Sequence, residues 1–256
     1  MKRLATALIL GPLSIYVVLW GPLYAFLAVL AAVALLCFHE YSGIVAAYGI
    51  AKPGPAAYAA GLVFLLAPWD ATALVPLAAL LALSINLFSV EHAKGFSRAA
   101  AFVFGLVYVF GCWRMAIPLR ALNPHWLMFA LAVSWIGDSA AYYIGRKLGR
   151  HKLAPRISPG KSWEGSIASL LASGGFAVLY LTYLIPQVTV AQALVLGVVA
   201  NIAGQAGDLA ESSLKRGAGV KDSGTMLPGH GGWLDRVDSA LFSIPVVYAL
   251  LASKIV

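Results

Sequence analysis

The chain has 256 residues, of which 61% are hydrophobic and only 11% charged. Soluble domains carry about a quarter charged residues, so a mean hydropathy of +0.85 excludes a soluble globular fold for most of the length. The formal net charge of +8 falls in short loops between apolar runs, where membrane topology accounts for it and nucleic-acid binding does not. Cys37 and Cys112 lie in apolar stretches without partner spacing. They fit small buried hydrophobes, not a disulfide framework or a thiolate metal site.

In chain order, Lys2 and Arg3 precede an apolar run over 4–20. The run continues past Gly21-Pro22 with no small-residue cleavage site, so it reads as a retained membrane helix. Further apolar segments follow near 22–38, 55–69, 71–88, 99–118, 126–145, 164–185, 190–208 and 236–254. At about 20 residues per crossing, that makes about nine spans. The third is short, and the eighth runs into polar residues. Gly21-Pro22, Pro53-Gly54-Pro55, Asn123-Pro124 and Pro186 supply turn chemistry between segments. With no repeat, linker or low-complexity tail, the expectation is an all-α polytopic transmembrane helical bundle, one integral membrane domain over 1–256.

Alternate loops then share one side of the membrane. Of the 18 lysines and arginines, only Arg120 and Lys254 fall on the other side, and Arg114 lies inside a span. Such asymmetry puts the crowded side and the N-terminus in the cytoplasm, and the expected location is the inner (cytoplasmic) membrane. Of the ten acids, Asp70 alone falls clearly on the outer side. Acids contribute little to topological sorting, so their clustering calls for another cause, and a cytoplasmic active site supplies one.

The segment from Asp208 to Ser239 reads DLAESSLKRGAGVKDSGTMLPGHGGWLDRVDS. Ionisable groups at membrane depth are expensive and mark function by default. If the eighth helix continues inward, Asp208, Glu211, Ser212 and Lys215 share one face. A helix starting after Gly231-Gly232 would hold Asp235 and Asp238 one turn apart. Two facing acid pairs make an oxygen-rich site suited to magnesium or another hard divalent cation. Pro228-Gly229-His230-Gly231-Gly232 between them lets backbone amides approach a phosphate, and Lys215, Arg216, Lys221 and Arg236 supply neutralising charge. The bland alternative is a polar loop whose charges pair among themselves.

These residues resemble the signature of the phosphatidate cytidylyltransferases, also called CDP-diglyceride synthetases. The pattern stands here as Ser212, Lys215-Arg216, Lys221-Asp222, Pro228-Gly229-His230-Gly231-Gly232 and Asp235-Arg236-Val237-Asp238. Trp233 departs from it, standing where the family usually has an aliphatic residue. The resemblance implies that a phosphate oxygen of phosphatidic acid attacks the α-phosphorus of CTP, releasing pyrophosphate and forming CDP-diacylglycerol. It implies a divalent metal held by Asp208 and Asp235, with Asp238 next in line, and a homodimer. Lys215, Arg216, Lys221 and Arg236 become candidate phosphate contacts. Asp222 orients Lys221 or helps to bind a second cation. His230 suits general acid–base chemistry near neutral pH. A phosphate monoester is already largely ionised there, so a phosphate or structural contact is the preferred role.

A second constellation covers 134–166. Asp138 lies near the inner end of the sixth span, facing the expected metal site. Arg146, Lys147, Arg150, Lys152, Arg156 and Lys161 follow with no acid before Glu164. The family shares the Asp, Gly-Arg, Ile-Ser-Pro-x-Lys-Ser and Glu-Gly elements seen here. For the loop as a whole, positive-inside topology with attraction to anionic membrane lipids stands beside recruitment of phosphatidate or triphosphate. For Ser158, Lys161, Ser162 and Glu164 the substrate-binding reading is favoured, with Ser158-Pro159-Gly160-Lys161 as a turn before a helix. His39-Glu40 closes the second span on the cytoplasmic side, either near the site or, as the favoured reading, as an interfacial end-cap, and Glu91-His92 reads as a solvated loop. Trp20, Trp69, Trp113, Trp126 and Trp163 read as an interface belt.

Two other functions compete. An ion-coupled transporter also uses intramembrane acids, but these acids cluster at one face and no repeat is found. CTP-dependent polyprenol or phytol kinases share a charged membrane site but lack the full His-Gly-Gly…Asp-Arg-x-Asp signature.

Overall fold

The computed structural model describes residues 2–87, 92–227 and 231–253. Its helices are α1 (Lys2–Leu19), α2 (Leu23–Ala47), α3 (Pro55–Leu66), α4 (Ala71–Asn86), α5 (Gly95–Leu122), α6 (Pro124–Leu148), α7 (Trp163–Leu184), α8 (Val190–Gly217), α9 (Leu234–Val237) and α10 (Ala240–Ala252). Each expected span falls on one of them. Five, namely α2, α5, α6, α7 and α8, are long and apolar enough to cross a membrane, while Leu10–Leu19, α3 and Thr72–Ser84 are shorter apolar helices. The chain is a multi-pass membrane protein.

The all-α expectation needs one correction. Between α6 and α7 a hairpin pairs β1 (Lys152–Ala154) with β2 (Ser158–Ser162), antiparallel, with Lys152 opposite Ser162 and Ala154 opposite Ser158. Ser158-Pro159-Gly160-Lys161, expected as a turn, is strand, and the turn is Pro155–Ile157. A two-stranded sheet consists only of edges, where a proline's missing N–H is tolerated; that is why turn-forming residues sit in a strand here.

The chain divides into two compact units. The first holds residues 1–6, 23–114 and 214–236. Its core is aromatic: Phe38 lies 5.1 Å from Phe110 and 5.1 Å from Tyr58 between ring centroids. Glycines let these rings in, since a Cβ on Gly61 would run into Phe110 and one on Gly105 into Tyr41 and Phe38. Within α5, Leu106–Gly111 forms a π-helical turn that carries Tyr108, Val109 and Phe110 inward. Arg114, a charge inside a span, caps α3: its guanidinium donates to the carbonyls of Phe64, Leu65, Ala67 and Trp69. Helix C-termini leave such carbonyls without intrahelical donors, and in lipid each must be satisfied by protein.

The second unit holds 7–22, 115–213 and 237–256. Here α6 packs along α7, and α10 joins α6 through Ser243, whose hydroxyl donates to the Ala130 carbonyl at 2.8 Å. Between α7 and α8 runs a polar ladder. Asn201 donates to Ser169 and Ser173, and Gln205 donates to Asn201 and to the Ser166 carbonyl. Such bonds between membrane helices contribute about 0.6 kcal/mol each. Arg120 caps α1 as Arg114 caps α3, donating to the carbonyls of Val18 and Gly21. The belt of tryptophans is only partly seen: Trp20, Trp69 and Trp163 are exposed, whereas Trp113 and Trp126 are buried against protein.

Close approach of α7 and α8 depends on Gly197, where an added Cβ would lie 2.5 Å from Ala177 Cβ and 2.8 Å from the Ser173 carbonyl. Gly197→Ala is expected to cost about 1–3 kcal/mol by overpacking. It should visibly lower the unfolding temperature in detergent. Gly175, with nothing within 4 Å of its position, is the control: Gly175→Ala should leave that temperature unchanged or raise it slightly.

Candidate active site

The polar end of α8 begins at Asp208. In the second unit, this carboxylate receives two groups from the sequence constellations. Lys161 Nζ lies 2.6 Å from Asp208 Oδ2, with both side chains about a quarter exposed. Ser212 Oγ donates to Asp208 Oδ1 at 3.4 Å. Gly207 brings α8 against the turn that carries Asp238, since a Cβ there would be 2.7 Å from the Asp238 carbonyl. Asp238 is buried, and its Oδ1 accepts the Ser239 amide at 2.7 Å. It lies in a turn between α9 and α10, not within a helix as expected. Glu211 is fully buried.

The hairpin aims Lys161. β2 runs directly into α7, and Ser162 is the N-cap, its hydroxyl accepting the Gly165 amide at 3.2 Å. Gly145, Gly149 and Gly165 crowd around that hydroxyl, so Ser162 is a buried structural cap in this arrangement. Glu164 turns to the hairpin base, where its carboxylate accepts from the His151 amide and meets His151 Nδ1 at 2.7 Å. Ser158 is half-buried in β2, Arg146, Lys147, Arg150, Lys152 and Arg156 are exposed, and Asp138 lies on the exposed side of α6.

In the first unit, Lys215 Nζ meets Asp235 Oδ1 at 2.5 Å, and both side chains are less than a tenth exposed. Asp235 also accepts the amides of Gly232 at 2.8 Å and Ser223 at 3.0 Å. Burial pushes its carboxyl up, but the Lys215 ammonium and these amides outweigh that and hold it below the ordinary value. α8 ends at Gly217, and just beyond it the positive φ of Gly219, 72°, allows the Val220 amide to reach back to the Lys215 carbonyl at 2.9 Å. Arg216 donates to the Val220 carbonyl at 3.0 Å. Lys221, Asp222 and Arg236 are exposed. Gly231 has a φ of 82°, and its carbonyl takes the Leu227 amide at 3.0 Å. Gly232 directs its amide to Asp235, not to open space. Pro228, Gly229 and His230 lie outside the described residues, as does Glu91.

Glu40 was missed. Sequence reasoning placed it at an interfacial helix end, yet it is only 3% exposed and accepts from Ser223 Oγ, the Trp233 amide and the Leu234 amide at 2.8–2.9 Å. A buried acid in an apolar helix was the available signal; its partners lie too far along the chain to be read.

Among the described residues no cluster of three or more His, Cys, Asp or Glu side chains forms a metal-binding group. The donor chemistry nonetheless fits a hard cation. Asp208 and Asp235 each already draw an ammonium into direct contact, and magnesium commonly takes one or two carboxylates with substrate phosphates completing its shell.

Membrane helices with buried or half-buried acids paired to lysines near the polar end of one of them describe a membrane protein with a charged site. The chain belongs to the Cytidylyltransferase family, which it matches over residues 1–254, and is accordingly a nucleotidyltransferase. It is 36% identical over 200 residues to the phosphatidate cytidylyltransferase of Staphylococcus saprophyticus, covering 75% of this chain and 77% of that one. Identity is 38% to the Staphylococcus haemolyticus enzyme of that name over 69% of this chain and 70% of the relative. It is 36% to the Bacillus subtilis enzyme over 70% and 67%.

The N-cap assignment is testable. Ser162→Ala should cost about 0.5–2 kcal/mol, read as a lower unfolding temperature. Ser162→Asp, which keeps a capping acceptor, should recover part of that loss.

Proposed function

We propose that the chain transfers the CMP moiety of CTP to phosphatidic acid, giving CDP-diacylglycerol and pyrophosphate. The observation that carries this is the pairing of the two first-choice metal-binding acids with lysines: Lys161 with Asp208 and Lys215 with Asp235. Phosphoryl-type transfer asks for positioning and charge neutralisation more than for proton removal. The lipid phosphate is ionised near neutral pH; one of its oxygens bonds to the α-phosphorus as the bond to the β-phosphate oxygen breaks, and pyrophosphate carries off the charge. Asp208, Asp235 and Asp238 are the proposed ligands of a magnesium or similar divalent ion, which would neutralise triphosphate charge when bound. Lys215, Arg216, Lys221 and Arg236 are proposed phosphate contacts. Ser158 and Lys161 belong to the same proposal on the hairpin side, and His230 is proposed as a phosphate contact. The excess of basic residues on one side supports a cytoplasmic site.

Detergent-purified protein given magnesium, CTP and short-chain phosphatidate should release pyrophosphate and CDP-diacylglycerol. Asp235→Asn and Asp208→Asn should each lower the rate by about 10²–10³-fold, the loss expected when a charge-stabilising group is removed. Product formation by folded wild type that both variants retain would remove the metal assignment. A folded wild type that makes no product would turn attention to phosphorylation of a polyprenol by CTP, then to solute flux in vesicles. A single cysteine introduced at Arg156 should react with an impermeant maleimide only from the cytoplasmic side.

A further inference from the structure

The signature segment of the first unit is tied together by two acids, and only one belongs to the signature. Asp235 accepts the amides of Ser223 and Gly232. Glu40, far away in sequence on α2, accepts the hydroxyl of Ser223 and the amides of Trp233 and Leu234. Ser223 joins the two: its amide goes to Asp235, its hydroxyl donates to Glu40, and the same oxygen receives the Asp235 amide at 3.3 Å. Two glycines make room. A Cβ on Gly224 would lie 2.5 Å from Glu40 Oε1, and one on Gly232 would collide with Glu40 Oε2 and Ser223 Oγ.

We propose that Glu40 is a positioning residue for nucleotide binding: it fixes the Asp235 carboxylate through Ser223 and the first turn of α9. The proposal rests on the cytidylyl-transfer reading of this site. Its chemistry is specific to a carboxylate. Oε1 takes the Trp233 amide at 2.9 Å, and Oε2 takes the Leu234 amide and Ser223 hydroxyl at 2.8 Å each. A carboxylate presents acceptors on both oxygens, whereas a glutamine presents one acceptor and one donor group. With the NH₂ at the first position it faces the Trp233 N–H; at the second it faces the Leu234 N–H. The Ser223 hydroxyl can rotate to accept, but neither backbone amide can. Either orientation of Glu40→Gln therefore leaves a buried donor against a donor, although size and shape are kept.

Glu40→Gln and Ser223→Ala are compared with wild type in detergent, with each protein first shown to be monodisperse. Glu40→Gln should raise the KM for CTP and the magnesium concentration for half-maximal rate by at least tenfold, with the KM for phosphatidate unchanged. Because Glu40 acts through Ser223, the double variant should lose scarcely more than the worse single one. Hydrogen exchange, which needs no turnover, should speed up in Glu40→Gln across peptides covering 223–227 and 231–236, while the peptides of α3 keep their protection. Activity that falls only with the folded fraction, at wild-type KM for CTP, would reduce Glu40 to a structural acid and overturn the proposal. So would unchanged exchange in 231–236. If wild type itself makes no product, the cytidylyl-transfer reading fails, and exchange alone decides whether Glu40 holds the segment.

Discussion

A helix longer than the hydrocarbon is deep must carry its extra turns into water, and the site depends on α8 doing so. Its 28 residues rise about 42 Å at 1.5 Å per residue, against a bilayer core of about 30 Å. The apolar stretch up to Gly207 is about long enough to cross that core. The remainder, from Asp208 to Gly217, is polar because it is surplus to the crossing. An unbroken helix fixes the rotation of Asp208 and Lys215 about its axis, so one acid and one base are placed by backbone hydrogen bonds alone. The Gly219 cap then stops the helix and turns the chain toward Lys221 and Asp222.

Charge at such a depth is tolerated only with partners, and the acids found here follow that rule by two routes. Asp208 and Asp235 each take a lysine ammonium. Glu40 takes three N–H and O–H donors, which together solvate a carboxylate as water would. The lysine-paired acids are the two proposed above as metal ligands, and an ammonium is a charge that a divalent cation could replace. The amide-paired acid does a different task, shaping the turn on which Asp235 stands. Arg114 and Arg120 obey the same constraint away from the site by serving carbonyls at helix ends.

Much of the fold was legible because lipid imposes a coarse rule. Twenty or so apolar residues have few alternatives to a helix, so the expected segments fall on helices, although α2 and α8 each run nine residues past their expected ends. The hairpin was not legible. Its strands are three and five residues long, include two glycine- or proline-type turn formers, and owe their pairing to the way α6 and α7 begin and end beside them. The candidate site divides similarly. Lys215 and Asp235 were both named from the motif, yet their contact was not, because they stand 20 positions apart in sequence on different elements. Ser162 was expected at substrate; its capping of α7 was not foreseen, although a serine before a helix commonly satisfies a backbone amide.

By itself, the sequence determined that this is a membrane protein, which segments are helical, which side chains carry charge at a helix end, and which family signature they spell. These follow from composition and from spacings within single elements, where periodicity and bilayer thickness leave little choice. Tertiary structure alone decided that Lys161 reaches Asp208 from a hairpin, that Gly207 admits the Asp238 turn, and that Glu40 on α2 holds Ser223, Trp233 and Leu234. Each of these joins residues distant along the chain. No local rule encodes them, because a buried carboxylate or ammonium takes whichever donor or acceptor the packed helices bring within about 3 Å.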